Sequence, residues 1–114
     1  MNIEELREYC LNKPFTSEGF PFDEDTLVFK VHGKMFALCG LQEASFVNLK
    51  CDPEKAIQLR EKYTEITPGF HMNKKLWNSV SITGYLSDIL LKELIDHSYQ
   101  LVYESLPKRL KTEK

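Results

Sequence analysis

Lys74 and Lys75 stand side by side in a thirteen-residue segment, residues 68–80, that also carries His71, Asn73 and Trp77 and holds no acid. The whole chain has 17 acids against 15 lysines and arginines, so the local balance runs against the global one. Two ammonium groups beside a flat aromatic are the components of a polyanion contact. Lysines neutralise phosphates, an amide or imidazole adds hydrogen bonds, and an indole stacks on a base. Each residue also has a structural use. Asn73 can close the loop by bonding its own backbone. Trp77 can lid the core, and His71 can bond a nearby carbonyl.

Further cations lie elsewhere in the chain. Lys30 and His32 alternate with Leu27, Phe29 and Val31, and Lys34 follows a glycine, which makes a basic hairpin tip. Lys50 ends the next apolar stretch and extends the same face. The chain finishes on Lys108, Arg109, Lys111 and Lys114. Basic islands therefore alternate with acidic stretches, and a polyanion surface requires the islands to meet in space. The competing reading of the alternating lysines is a solvated sheet face.

Several chemistries are excluded by what the chain lacks. It has no P-loop, dinucleotide glycine fingerprint, His-Glu-x-x-His or nucleophile elbow. Cys10, Cys39 and Cys51 are odd in number and widely spaced, which argues against a disulfide framework or zinc knuckle and for buried free thiols. No cofactor and no enzymatic activity are expected. Apolar runs are far shorter than a membrane span of roughly 20 residues. The acidic, amphipathic start is unlike a secretory signal, so a cytoplasmic location is expected.

The elements that must position these residues follow from periodicity. Asn2 and Glu5 form a capping-box pattern ahead of Ile3, Leu6, Tyr9 and Cys10 at helical spacing. Residues 14–25 read as a loop whose phenylalanines fold back on the core. Residues 26–31, 34–39 and 45–50 alternate with period two, giving an antiparallel meander turning at Gly33-Lys34. In the second strand Phe36 and Leu38 are expected on one face, with Met35, Ala37 and Cys39 on the other. Asp52-Pro53-Glu54 starts a helix reaching about Tyr63. Residues 77–83 return to strand, with Trp77 out of phase with Val80 and Ile82. Ser87 caps a last helix whose stripe is Leu91, Leu94, Ile95, Ser98, Tyr99, Val102 and Leu106. Pro107 stops it, and a basic tail covers residues 107–114. The prediction is a single α+β domain over residues 1–114, ordered α-β-β-β-α-β-α. Its antiparallel sheet carries helices packed on one face.

Four stretches of the chain resemble one family. They are Phe29-Lys30-Val31-His32-Gly33-Lys34-Met35-Phe36-Ala37-Leu38, Val47-Asn48-Leu49-Lys50-Cys51-Asp52-Pro53-Glu54, the loop from Pro68 to Val80, and Ile95-Asp96-His97-Ser98-Tyr99-Gln100-Leu101-Val102 with Leu106-Pro107-Lys108. In this order they resemble the MmcQ/YjbR family of small bacterial proteins. The resemblance implies a frataxin-like (CyaY-like) α+β fold and DNA binding through a double-wing arrangement. The residues it would use here are Lys30, Lys34, Lys50, His71, Asn73, Lys74, Lys75 and Trp77. The rival expectation is a protein-interaction or small-ligand module using the exposed sheet face and Trp77. A third, by analogy with the acidic ridge of frataxins, is metal handling by Glu4, Glu5, Glu8 and Asp23-Glu24-Asp25.

Overall fold

The computed structural model describes residues 1–111, so Lys114 and the end of the basic tail lie outside the described residues. The helices are α1 (Ile3–Leu11), α2 (Pro53–Lys62), α3 (Asp88–Glu104) and a single turn, α4 (Lys108–Lys111). The strands are β1 (Thr16–Gly19), β2 (Thr26–Val31), β3 (Lys34–Gly40), β4 (Phe46–Lys50), β5 (Ile66–Pro68) and β6 (Trp77–Ser81). All strand pairs are antiparallel, in the order β1-β2-β3-β4-β6-β5.

The seven expected elements are all present, and three are additional. The stretch read as a loop contains β1, which pairs with β2 at one edge of the sheet. Arg7 of α1 ties that edge down through a bidentate pair with Glu18. At the opposite edge β5 pairs with β6 and ends on Pro68, a residue tolerated where no further ladder bond is needed. The tail begins with α4, where Leu110 packs against the core and Lys111 Nζ donates to the Glu104 carbonyl at the end of α3. Phe20 and Phe22 do not fold back on the core as expected but stand exposed; Phe15 stacks on His32.

Helices α1, α2 and α3 cover one face. Leu6 and Cys10 from α1, Leu91, Leu94, Ile95 and Val102 from α3, and the inward residues of β2, β3, β4 and β6 form the main core. Leu59 and Tyr63 of α2 pack against it. Asn2 and Glu5 form the expected capping box, and Ser87 and Asp52 cap α3 and α2. Burial pushes the thiols of Cys10 and Cys39 up to about 12 and about 11, and that of Cys51 upward. A thiol held protonated in this way is a poor nucleophile.

Two details of the hairpin differ from expectation. The turn residues are His32 and Gly33, with φ of 47° and 82°, while Val31 and Lys34 face each other as the flanking pair. Positive φ at both positions of a two-residue loop is the type I′ geometry that matches sheet twist. The second detail is a β-bulge. Phe29 faces Ala37 but Lys30 faces Met35, leaving Phe36 without a partner on β2. The side-chain phase therefore slips at Phe36. Phe36 joins Ala37 and Cys39 in the main core, and Leu38 turns to the other face beside Met35, correcting the strict alternation expected for β3.

His97 on α3 supplies a pH-sensitive tie to the second helix. Its Nε2 accepts a hydrogen bond from the Asp52 N–H at the cap of α2. Burial first, and nearby Lys55 second, hold its pKa below the ordinary 6.5. The folded state thus favours the neutral ring. This contribution to stability is complete above the ordinary value and is lost as pH falls through the lower folded-state value. Urea unfolding midpoints from about pH 7 to about pH 5 should therefore fall more steeply in the wild type than in His97→Gln, because the unfolded imidazole takes up its proton first. Equal slopes would exclude the effect.

Candidate functional site

The helix-free face of the sheet is not bare. Val28, Leu38 and Trp77 form a second buried cluster there, with Met35, Met72 and Leu76 packed against it. Trp77 lies on the face opposite Val80, as its phase suggested, and is 8% exposed. The segment between β5 and β6, residues 69–76, folds across this cluster as a flap.

Local bonds hold the flap down. The Gly69 N–H donates to the Trp77 carbonyl at 2.8 Å. A Cβ at Gly69 would lie 2.7 Å from Trp77 Cβ and 2.9 Å from its carbonyl oxygen, so only glycine allows this approach. Asn73 Oδ1 accepts from the Lys75 N–H, and the Asn73 carbonyl accepts from the N–H groups of Leu76 and Trp77. Lys74 Nζ donates to the Gly69 carbonyl, and the Lys74 carbonyl accepts from Arg60. Asn48 on β4 anchors the start of the flap, its Nδ2 donating to the Phe70 carbonyl. Ser79 on β6 completes the anchor, its Oγ accepting from the Phe70 N–H and donating to Asn48 Oδ1.

The eight sequence-derived residues do not form one surface. Lys30 and Lys50 lie at the hairpin end of the helix-free face, Lys50 facing Trp77 across the ladder. Lys34 belongs to the other side, where its Nζ donates to Ser105 Oγ at the end of α3. Lys75 is exposed in the flap. Lys74 and Asn73 are engaged within the flap. His71 is exposed, sits at a φ of 59° and packs its ring 4.0 Å from that of Phe70. Trp77 has too little exposed surface to stack on a base without leaving its cluster.

A cleft of about 480 Å³ opens beside the flap, towards the other end of the same face. Its floor is Leu38, Gly40 and Asn48; Phe70, His71 and Met72 make one wall, and Phe22, Asp23 and Asp25 another. Glu43 and Phe46 close the end. The Phe46 and Phe70 rings meet at right angles with centroids 6.2 Å apart. Phe22 and Phe70 are 63% and 57% exposed, unusual for phenylalanines on opposite lips of one cavity. Asp23 is held ionised, its carboxylate accepting from the N–H groups of Thr26 and Asp25, which lower its pKa. Asp25 Oδ1 accepts from the Gln42 N–H, and its Oδ2 sits where a side chain on Gly40 would crowd it.

Sequence reasoning missed this cleft because its residues come from three separate loops and three strands. The available signal was Phe20-Pro21-Phe22-Asp23-Glu24-Asp25, where aromatics beside acids in a loop have no obvious core to join. The metal expectation gains nothing: among the described residues no three His, Cys, Asp or Glu side chains are placed to hold a metal ion. Glu5 is used in the cap of α1 and Asp23 in its own turn. Among the described residues no helix is long and apolar enough to cross a membrane.

The architecture defines a class of small α+β protein: an antiparallel sheet backed by helices, with a flap packed over part of the other face. The YjbR family model matches residues 11–101, and the chain belongs to that family. It is 41% identical to the Escherichia coli O157:H7 protein YbdF over 107 residues, 93% of this chain and 88% of that one. It is 34% identical to Escherichia coli K12 YjbR over 109 residues, covering 95% and 92%. Both relatives are described as uncharacterized proteins. Among solved structures, a Deinococcus radiodurans protein of the DUF419 domain family superimposes with a TM-score of 0.92 at 38% identity, covering 98% of this chain and 86% of that one. A Pseudomonas syringae protein superimposes at 0.76 and 30% identity, covering 90% and 99%.

Proposed function

We propose that this chain is a non-enzymatic binding module whose site is the cleft on the helix-free face, between the flap and the 22–25 loop. The observation that carries this reading is the cleft's lining. Three phenylalanines and two methionines supply apolar wall, and polar side chains such as Asp25, Glu43 and Asn48 line the same cavity, a combination typical of small-molecule sites. The flap's direct bonds to Asn48 and Ser79 support a preformed wall.

DNA binding is the second reading, and one observation favours it. Lys30, Lys50 and Lys75 have no ammonium partner among the described residues, and Lys30 and Lys50 share one end of the face. Against it stand the diversion of Lys34 and Lys74 to internal acceptors and the burial of Trp77.

One titration series separates the two. Amide shifts would be followed with a set of anionic, neutral and cationic fragments, and separately with duplex DNA at several salt concentrations. The ligand reading expects fragment shifts at Leu38, Phe46, Asn48 and Phe70, with no DNA response. A DNA response at Lys30, Lys50 and Lys75 that weakens with salt, without any fragment response in the cleft, would overturn it.

A further inference from the structure

We infer that the cleft selects an organic cation, an ammonium group carried on a small apolar body; this deepens the ligand-site reading above and rests on it. Asp23, Asp25 and Glu43 line the cleft, and no lysine or arginine does. His71 is the one basic side chain among the described lining residues, so a phosphate or carboxylate ligand would meet net negative charge there, whereas a cation is attracted by it.

The walls make the same selection by a separate route. Phe46 and Phe70, set at right angles, form a corner, and Phe22 faces the cavity from the other lip. A cation is drawn to the electron-rich face of an aromatic ring, and weakly hydrated alkylammonium groups gain most because they also bury methyl surface. A bare metal ion would need converging ligands, and among the described residues no three His, Cys, Asp or Glu side chains are so placed. Two of the rings, Phe22 and Phe70, are largely exposed without a ligand. Phe70 already packs against the His71 ring at 4.0 Å, and the proposed cation covers ring surface that this contact leaves open.

Glu43 has no hydrogen-bond or ion-pair partner among the described residues, and Asp25 Oδ2 is likewise unbonded while its Oδ1 is held by Gln42. These two carboxylates are thus available to a ligand without first breaking a bond within the protein. Asp23 spends both its oxygens on its own turn, so it contributes field rather than contact.

The test compares matched probes by calorimetry and by amide shifts in the cleft. Choline and butylammonium are the cations, 3,3-dimethylbutan-1-ol is the neutral isostere of choline, and butyrate is the anion. We expect both cations to bind at least about tenfold more tightly than the neutral isostere, and butyrate not at all. The double variant Asp25→Asn, Glu43→Gln should remove that preference. Asparagine keeps the oxygen that accepts from Gln42, so the loop should stay folded, and an unchanged thermal midpoint would confirm that. Phe70→Ala should weaken both cations and the neutral isostere. If the neutral isostere binds as well as choline, the cation inference fails while the binding-module reading stands. If neither these probes nor any fragment perturbs the cleft, both fail.

Discussion

Trp77→Ala is expected to lower folding stability by about 3–5 kcal/mol, a large share of the roughly 5–15 kcal/mol that holds such a domain folded. The loss has two parts. One is the indole itself, which is 8% exposed and fills the second cluster against Val28 and Leu38. The other is the flap, whose residues Met72 and Leu76 pack on the same cluster and whose first residue approaches the Trp77 backbone through Gly69. With the ring gone, the flap keeps its backbone bonds but loses its apolar seat. Hydrogen exchange should therefore speed up at Gly69 and Met72 before the helices are affected. Urea unfolding gives the magnitude. A surface tryptophan kept for stacking on a base would behave differently: its removal would cost within about 0.5 kcal/mol and abolish nucleic-acid binding instead.

The same residue shows what could be read in advance. Strand phase alone put Trp77 either before β6 or on its far face, and the second alternative is the one found. The helices were legible because their caps and stripes are local: Asn2 with Glu5, Asp52 with Pro53, and Ser87 all sit where they were placed. The edge strands β1 and β5 were not, since Thr-Ser-Glu-Gly and Ile-Thr-Pro carry no alternation and are strands only because a neighbour offers ladder bonds. Lys34 was read with Lys30 as part of a basic hairpin tip, and the hairpin directs it towards α3. The candidate site was the least legible part. The flap could be singled out as a segment, yet its path across the helix-free face depends on Asn48 and Ser79, which look like ordinary strand residues. The cleft then follows from that path, and its acids and phenylalanines are scattered over residues 22–70.

The bulge at Phe36 is the other feature fixed from outside its own strand, and it leads to the second large expected effect. Ser98→Ala should destabilise the protein by about 2–4 kcal/mol, far beyond the change in side-chain volume. The β3–β4 ladder runs from Cys39 and Val47 to Ala37 and Leu49 and then stops. The next groups are the Phe36 carbonyl and the Lys50 N–H, and Ser98 Oγ stands between them. It donates to the first at 2.6 Å and accepts from the second at 2.9 Å. Ser98 is fully buried on α3, so no bulk water replaces it. Alanine would leave a buried acceptor and a buried donor unpaired, each costing about 1–3 kcal/mol. Ser105 offers the control. Its Oγ donates to the Val102 carbonyl and accepts from Lys34 near the surface, so Ser105→Ala should change stability by no more than about 0.5 kcal/mol. Denaturant midpoints of the two variants decide the matter. If Ser98→Ala is as mild as Ser105→Ala, the ladder can close on itself or on water without α3. If it is severe, one hydroxyl couples the last helix to the strand end that carries Lys50, and so sets where the helix-free face ends.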